Sequence, residues 1–262
     1  MRSCWIVYDR MDLDANRFFA DRLRTRAEEL GMEARIVVNG SLPDGKPDLL
    51  INRGRDWKLS AGYEMIGTLV SNPAEACRIG NDKLETYLMA RRLGIPHMQF
   101  SRPGETLPPG PPWVVKSRIG HGGSEVFLAG SRDEVGRLCS SMGDRLPLVQ
   151  AMADPGADMR VYVLGGRILA AALRTSGTDF RANRSLGGRA EICAVPEDVR
   201  RMVEDVCADI RPDLAGIDFV FSDGRAYLNE VEDAVGTRML YELTDLDPAG
   251  ALVEHLHSKM SL

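Results

Sequence analysis

Gly216-Ile217-Asp218-Phe219-Val220-Phe221, then Asp223-Gly224, then Ala226-Tyr227-Leu228-Asn229-Glu230-Val231 with Glu232 following, is the stretch that decides the fold. Two short runs rich in β-branched and aromatic residues flank a pair that favours tight turns, which predicts an antiparallel hairpin. Carboxylates interrupt its apolar pattern. Glu230 and Glu232 lie two apart and share a face of their strand. A three-residue turn over Asp223 to Arg225 would set Asp218 opposite Glu230, whereas a two-residue turn would set it opposite Asn229. Clustered acids repel unless a cation compensates, and magnesium held by carboxylates and phosphates would do so. The alternative is a solvated acidic strand end neutralised by Arg225 and Arg238.

Outward from this hairpin the same grammar recurs. Val161 to Leu164 and Ile168 to Leu173 flank Gly165-Gly166, a second hairpin. Between the hairpins Val199, Met202, Val203, Val206 and Ile210 keep helical spacing, so this part of the chain reads as α+β. Upstream, Trp113 to Lys116 is a strand that ends in Gly120, Gly122 and Gly123, with Ser124 to Leu128 as its antiparallel partner. Arg132 to Met142 reads as a helix and Leu148 to Gln150 as a further strand, after a proline-rich connection from Arg102 to Pro112. Apolar runs at Cys4 to Tyr8, Ile36 to Val38, Leu49 to Ile51 and Leu69 to Val70, with a helical stretch at Asn16 to Leu30, predict a small parallel sheet at the start. Asn72-Pro73 reads as a helix cap and first turn, and Asn81 opens a helix that Gly94 stops. Three units result: 1–72, 73–149 and 150–262.

Composition narrows the functional classes. Of 262 residues 44% are hydrophobic and 27% charged, enough for a sizeable core. The 33 Lys and Arg against 38 Asp and Glu leave a net charge of -5, with no general attraction to nucleic acid or anionic lipid. A small-molecule or peptide substrate fits better. Five dispersed cysteines without a C-x-x-C pair argue against a disulfide framework or structural zinc, and the polar start of the chain against a signal peptide or membrane span. The expectation is a cytoplasmic protein.

The chemistry-bearing residues favour phosphate. Lys116, at a strand end beside a glycine loop, can reach phosphate oxygens, while glycines let backbone N–H groups approach them. Arg160 and Arg174, with the irregular Asp179-Phe180-Arg181-Ala182-Asn183 stretch, supply guanidinium forks able to clamp a phosphoryl group. His255 and His257 diverge on a helix and make a poor metal pair. His121 reads as an exposed loop residue, and Cys193 and Cys207 as packing residues.

Taken in order, Ile79-Gly80-Asn81-Asp82-Lys83, Val114-Val115-Lys116 with its loop to Gly123, Leu148-Val149-Gln150, Asp158-Met159-Arg160, Asp179 to Asn183, Gly216-Ile217-Asp218 and Asn229-Glu230-Val231-Glu232 resemble the ATP-grasp superfamily, most closely the RimK-like glutamate ligases. That resemblance implies two α+β subdomains enclosing ATP behind an N-terminal α/β domain with a parallel sheet. It implies that Lys83 and Lys116 contact the ATP phosphates with Gly120, Gly122 and Gly123. Gln150, Ala151 and Met152 would form the hinge for adenine, and Asp158, Arg160 and Asn183 would complete the nucleotide site. Asp218, Glu230 and Glu232 would hold magnesium, with manganese as a substitute. Arg174, Arg181 and Lys116 would serve the transferring phosphoryl group. The implied reaction joins a carboxylate to an amine through an acyl phosphate, on an amino acid or peptide; a kinase or a non-catalytic ATP-binding module of the same fold are the alternatives, and a homo-oligomer is common in such families.

Three departures limit the resemblance. Glu232 stands where the RimK-like pattern has asparagine, Ala151 where it has an acid, and Leu173 where it has a second arginine. The reaction class therefore carries over and glutamate as substrate does not. On this reading Glu230→Ala or Asp218→Asn abolishes turnover in a folded protein.

Overall fold

A computed structural model describes residues 1–120, 125–177, 180–181 and 188–261. The chain opens with β1 (Ser3–Tyr8), α1 (Arg10–Ala15), α2 (Arg17–Glu29), β2 (Glu33–Val38), β3 (Leu49–Asn52), α3 (Trp57–Met65) and β4 (Leu69–Ser71). The four strands pair in parallel in the order β2-β1-β3-β4. Ile6, Leu49 and Ile51 are fully buried, as the near-continuous apolar runs of a parallel sheet covered on both faces require.

Two helices follow, α4 (Ala74–Gly80) and α5 (Lys83–Leu93), before β5 (Phe100–Ser101), β6 (Trp113–Ser117), β7 (Val126–Ala129), α6 (Arg132–Met142) and β8 (Pro147–Ala151). These strands form an antiparallel sheet in the order β5-β8-β6-β7. The helix caps differ from the expected ones. Asp82, not Asn81, caps α5, its Oδ1 accepting from the Leu84 N–H at 2.9 Å. Asn81 instead closes α4, donating to the Cys77 carbonyl. Asn72 caps nothing. Its Nδ2 donates to the carbonyls of Leu214 and Asp233, and its Oδ1 accepts from the N–H groups of Asp213 and Leu214. Four backbone partners outweigh the one or two that an N-cap offers.

The remainder is β9 (Ala157–Leu164), β10 (Arg167–Thr175), β11 (Arg189–Ile192), α7 (Glu197–Ile210), β12 (Leu214–Ser222), β13 (Arg225–Glu232), α8 (Arg238–Leu243) and α9 (Pro248–Lys259). Its antiparallel sheet runs β11-β10-β9-β12-β13. Both turns fall at the expected pairs, Gly165-Gly166 and Asp223-Gly224, all four residues at positive φ. Helix α7 and helices α4 and α5 cover one face of this sheet, where Val203, Val206, Ile79 and Ala90 pack with Ile217, Phe219 and Val231. Thus α4 and α5, which precede the central sheet in sequence, pack on the last one.

Candidate active site

The hairpin that opened the reading sets the geometry. Its turn has two residues, for Ser222 faces Arg225 and Phe219 faces Leu228. Left undisturbed, that register would put Asp218 opposite Asn229. A β-bulge intervenes between Asp218 and Phe219, leaving Asn229 without a partner and bringing Asp218 opposite Glu230. The convergence expected from a three-residue turn is produced by the bulge. Asn229, Glu230 and Glu232 all line one cavity as a result. Asp218, Glu230 and Glu232 each offer an oxygen within 4.8 Å of the others, an arrangement that fits a divalent cation.

Neighbouring strands add the counter-charges. Arg160 on β9 lies opposite Asp218, and Arg174 on β10 lies opposite Asp158. Arg160 grips Asp218 through Nε at 2.7 Å and Nη2 at 2.6 Å, and its Nη2 also meets Glu232 at 2.8 Å. Arg174 joins Asp158 and reaches Asp218 Oδ2 at 2.8 Å. Lys83, the first residue of α5, meets Glu230 Oε1 at 3.0 Å and donates to the carbonyl of Gly120. The acids are therefore neutralised by Arg160, Arg174 and Lys83, not by Arg225 and Arg238. Burial raises the Asp218 carboxyl, but the two guanidiniums outweigh it and hold the group at about 2. Asp158 and Glu232 have smaller shares of the arginines, so burial pushes both up.

The cavity lies between the central and C-terminal sheets and is bordered by Lys83, Lys116, Gln150, Met152, Asp158 and Arg174 along with the acids. Its volume is about 110 Å³. That is below the roughly 300–1,000 Å³ usual for pockets that enclose a ligand. Arg181, which also borders it, donates to the Val126 carbonyl on β7 at 3.3 Å and so links the two sides.

Lys116, 3% exposed, anchors the opposite wall. Its Nζ donates to Tyr87 Oη at 2.8 Å and to Asn229 Oδ1 at 3.1 Å. Burial, then the charge of Lys83, pushes this amine down to about 7, while Glu230 pulls the other way. Gln150 receives the Tyr87 hydroxyl on its Oε1.

Of the residues singled out from sequence, Lys83, Lys116, Gly120, Gln150, Met152, Asp158, Arg174, Arg181, Asp218, Glu230 and Glu232 border one cavity. Ala151 and Arg160 do not: Ala151 closes β8 by bonding to the Gln99 carbonyl, and Arg160 engages the acids. Gly122, Gly123, Asn183, His121 and Asp179 lie outside the described residues. His255 pairs with Asp213 at 2.9 Å, and burial raises the Cys193 and Cys207 thiols. Tyr87 and Asn229, the partners of Lys116, were among the residues missed. Tyr87 follows Lys83 by one helical turn, a spacing that puts both on one face. Asn229 reaches the cavity through a bulge that left no mark in the pattern.

The RimK-like ATP-grasp domain family matches residues 105–256. A probable alpha-L-glutamate ligase of Xanthomonas oryzae pv. oryzae is 30% identical over 211 residues, covering 75% of this chain and 71% of the relative. Uncharacterized protein MG011 of Mycoplasma genitalium is 26% identical over 268 residues, covering 98% of this chain and 93% of its own. A RimK domain ATP-grasp protein of Sphaerobacter thermophilus superposes with a TM-score of 0.72 at 18% identity, over 97% of this chain and 99% of that one.

Proposed function

The chain belongs to the RimK-like ATP-grasp family, and from that premise we propose that it is an ATP-dependent ligase joining a carboxylate to an amine, with an amino acid or a peptide as substrate. One observation carries the residue assignments: two lysines, two arginines and three converging carboxylates border a single cavity between two sheets. Lys83 and Lys116 bind the ATP phosphates, and Gln150 with Met152 borders the adenine. Asp218, Glu230 and Glu232 would hold magnesium, which would supply neutralising charge at the phosphoryl oxygens; manganese would suit the same oxygen donors.

The carboxylate oxygen attacks the γ-phosphorus and ADP leaves, giving an acyl phosphate. The amine then attacks the acyl carbon, and phosphate departs with the carboxylate's own oxygen as the amine loses a proton. Lys116 and Arg174 stabilise charge as it develops, and Arg181 closes the site from the far side, which keeps water from the acyl phosphate. No nucleophile of the protein takes part. Because Arg174 is held by Asp158 and Asp218 before ATP arrives, it is already oriented, which lowers the reorganisation cost of the phosphoryl transfer.

The test is a screen of paired acids and amines with magnesium and ATP. The reading predicts ADP and phosphate in equal amounts, released only when both partners are present, with a product whose mass equals acid plus amine less one water. Phosphate retained on a single acceptor would make the protein a kinase instead.

A further inference from the structure

Tyr87 has no part in the reaction as described, yet it is fully buried and its hydroxyl bonds to two residues that line the cavity, Lys116 and Gln150. Its ring stacks on Phe100 at 4.9 Å and on His97 at 5.6 Å. Neither ring lines the cavity, so the phenol is held from behind. A phenol has one proton to give and lone pairs to receive. The proton goes to Gln150 Oε1, and the oxygen accepts from the Lys116 ammonium at 2.8 Å. The chain of donors therefore has one direction, from Lys116 through Tyr87 to Gln150. With its Oε1 engaged, Gln150, which lines the cavity, has its NH2 donors left to offer a ligand. Lys116 Nζ also lies 5.1 Å from the centroid of the Tyr87 ring, within cation–π range.

We propose that Tyr87 is a positioning residue of the nucleotide site, fixing the Lys116 ammonium and the Gln150 amide with a single hydroxyl. This rests on the assignment of the cavity to ATP. The hydroxyl also favours the charged form of Lys116 by accepting a hydrogen bond from it. Lys83 on α5 opposes that charged form and Glu230 on β13 supports it.

The experiment is calorimetric titration of magnesium-ATP into wild type and Tyr87→Phe between pH 6 and 9, with folding checked by circular dichroism. Loss of a hydrogen bond to a charged group should weaken binding about tenfold at neutral pH. The fall of affinity with rising pH should also begin lower in the variant, by about one unit, because Lys116 then gives up its proton more easily. A purely structural role would weaken binding evenly across the range. Phe100→Leu, which loosens the stack without touching the cavity, should act in the same direction and serves if Tyr87→Phe does not fold. Wild-type affinity and pH profile in a folded variant would overturn the role of Tyr87 alone. Failure of wild type to bind magnesium-ATP would overturn the nucleotide site and this inference with it.

Discussion

Replacing Lys116 by methionine should stabilise the ligand-free protein while destroying nucleotide binding, and both effects follow from where the amine sits. A lysine in the unfolded chain titrates near 10.4, but burial and Lys83 bring Lys116 down to about 7. Between those values the unfolded state holds a proton that the folded state has lost, so stability rises with pH across the window. Below pH 7 both states are charged and the cost of burying the ammonium is present in full. At about 1.4 kcal/mol per unit, the penalty at neutral pH is roughly 4 kcal/mol. The lost hydrogen bonds and ring contact return about 1–2 kcal/mol of that, so Lys116→Met should gain roughly 2–3 kcal/mol at pH 7. Urea unfolding of both proteins at pH 6.5, 8 and 9.5, without nucleotide, measures it. The advantage of the variant should shrink as pH rises. A difference that stays constant with pH, or a wild type more stable at pH 6.5, would refute the reasoning. ATP acts in the opposite sense: its phosphates favour the ammonium, so wild-type affinity should fall about tenfold per unit above pH 7.

Asp218 and Glu230 should part company under substitution. Asp218→Asn leaves Arg160 and Arg174 buried without their shared counter-charge and should cost about 3–5 kcal/mol, a loss visible as a lower urea midpoint; the sequence alone had suggested a folded, inactive variant. Glu230→Gln, at a half-buried position whose ion pair among the described residues is with Lys83, should keep its midpoint within about 1 kcal/mol and lose turnover, so wild-type turnover in it would remove Glu230 from the site. Asn72→Ala severs four bonds between the start of α4 and the segments at Leu214 and Asp233; a loss of at least about 2 kcal/mol is expected in the same unfolding assay. Phe219→Ala, in the sheet core at 0% exposure, should cost about 3–5 kcal/mol.

Much of the architecture was legible because local signals and tertiary needs agree. Gly165-Gly166 and Asp223-Gly224 supply the positive φ that two-residue turns demand, and the apolar runs of β1 and β3 are those of a doubly covered sheet. What failed was nonlocal. The bulge at Asn229 changes register by one residue, and nothing in Leu228-Asn229-Glu230 distinguishes it from a regular strand. The counter-charges of the acids were not legible because the sequence does not say which strand lies beside which; the order β10-β9-β12-β13 sets Arg160 and Arg174 against the acids, with Arg174 still bordering the cavity. The choice of Asp82 over Asn81 as cap turned on a single residue, within the usual uncertainty of helix ends. Asn72 escaped because its partners lie some 140 residues away. The arginine missing at Leu173 is the departure that bears on the substrate, and it is why glutamate does not carry over with the reaction class.

The most direct test of the ligase account follows the oxygen of the carboxylate. Once a screen has found the acid and amine, the acid is supplied with oxygen-18 in its carboxylate, and the released phosphate is analysed by mass spectrometry. An acyl phosphate requires that one labelled oxygen per turnover pass into inorganic phosphate. Phosphate free of label, with both heavy atoms still on the acid-derived product, would contradict carboxylate activation and with it the central claim.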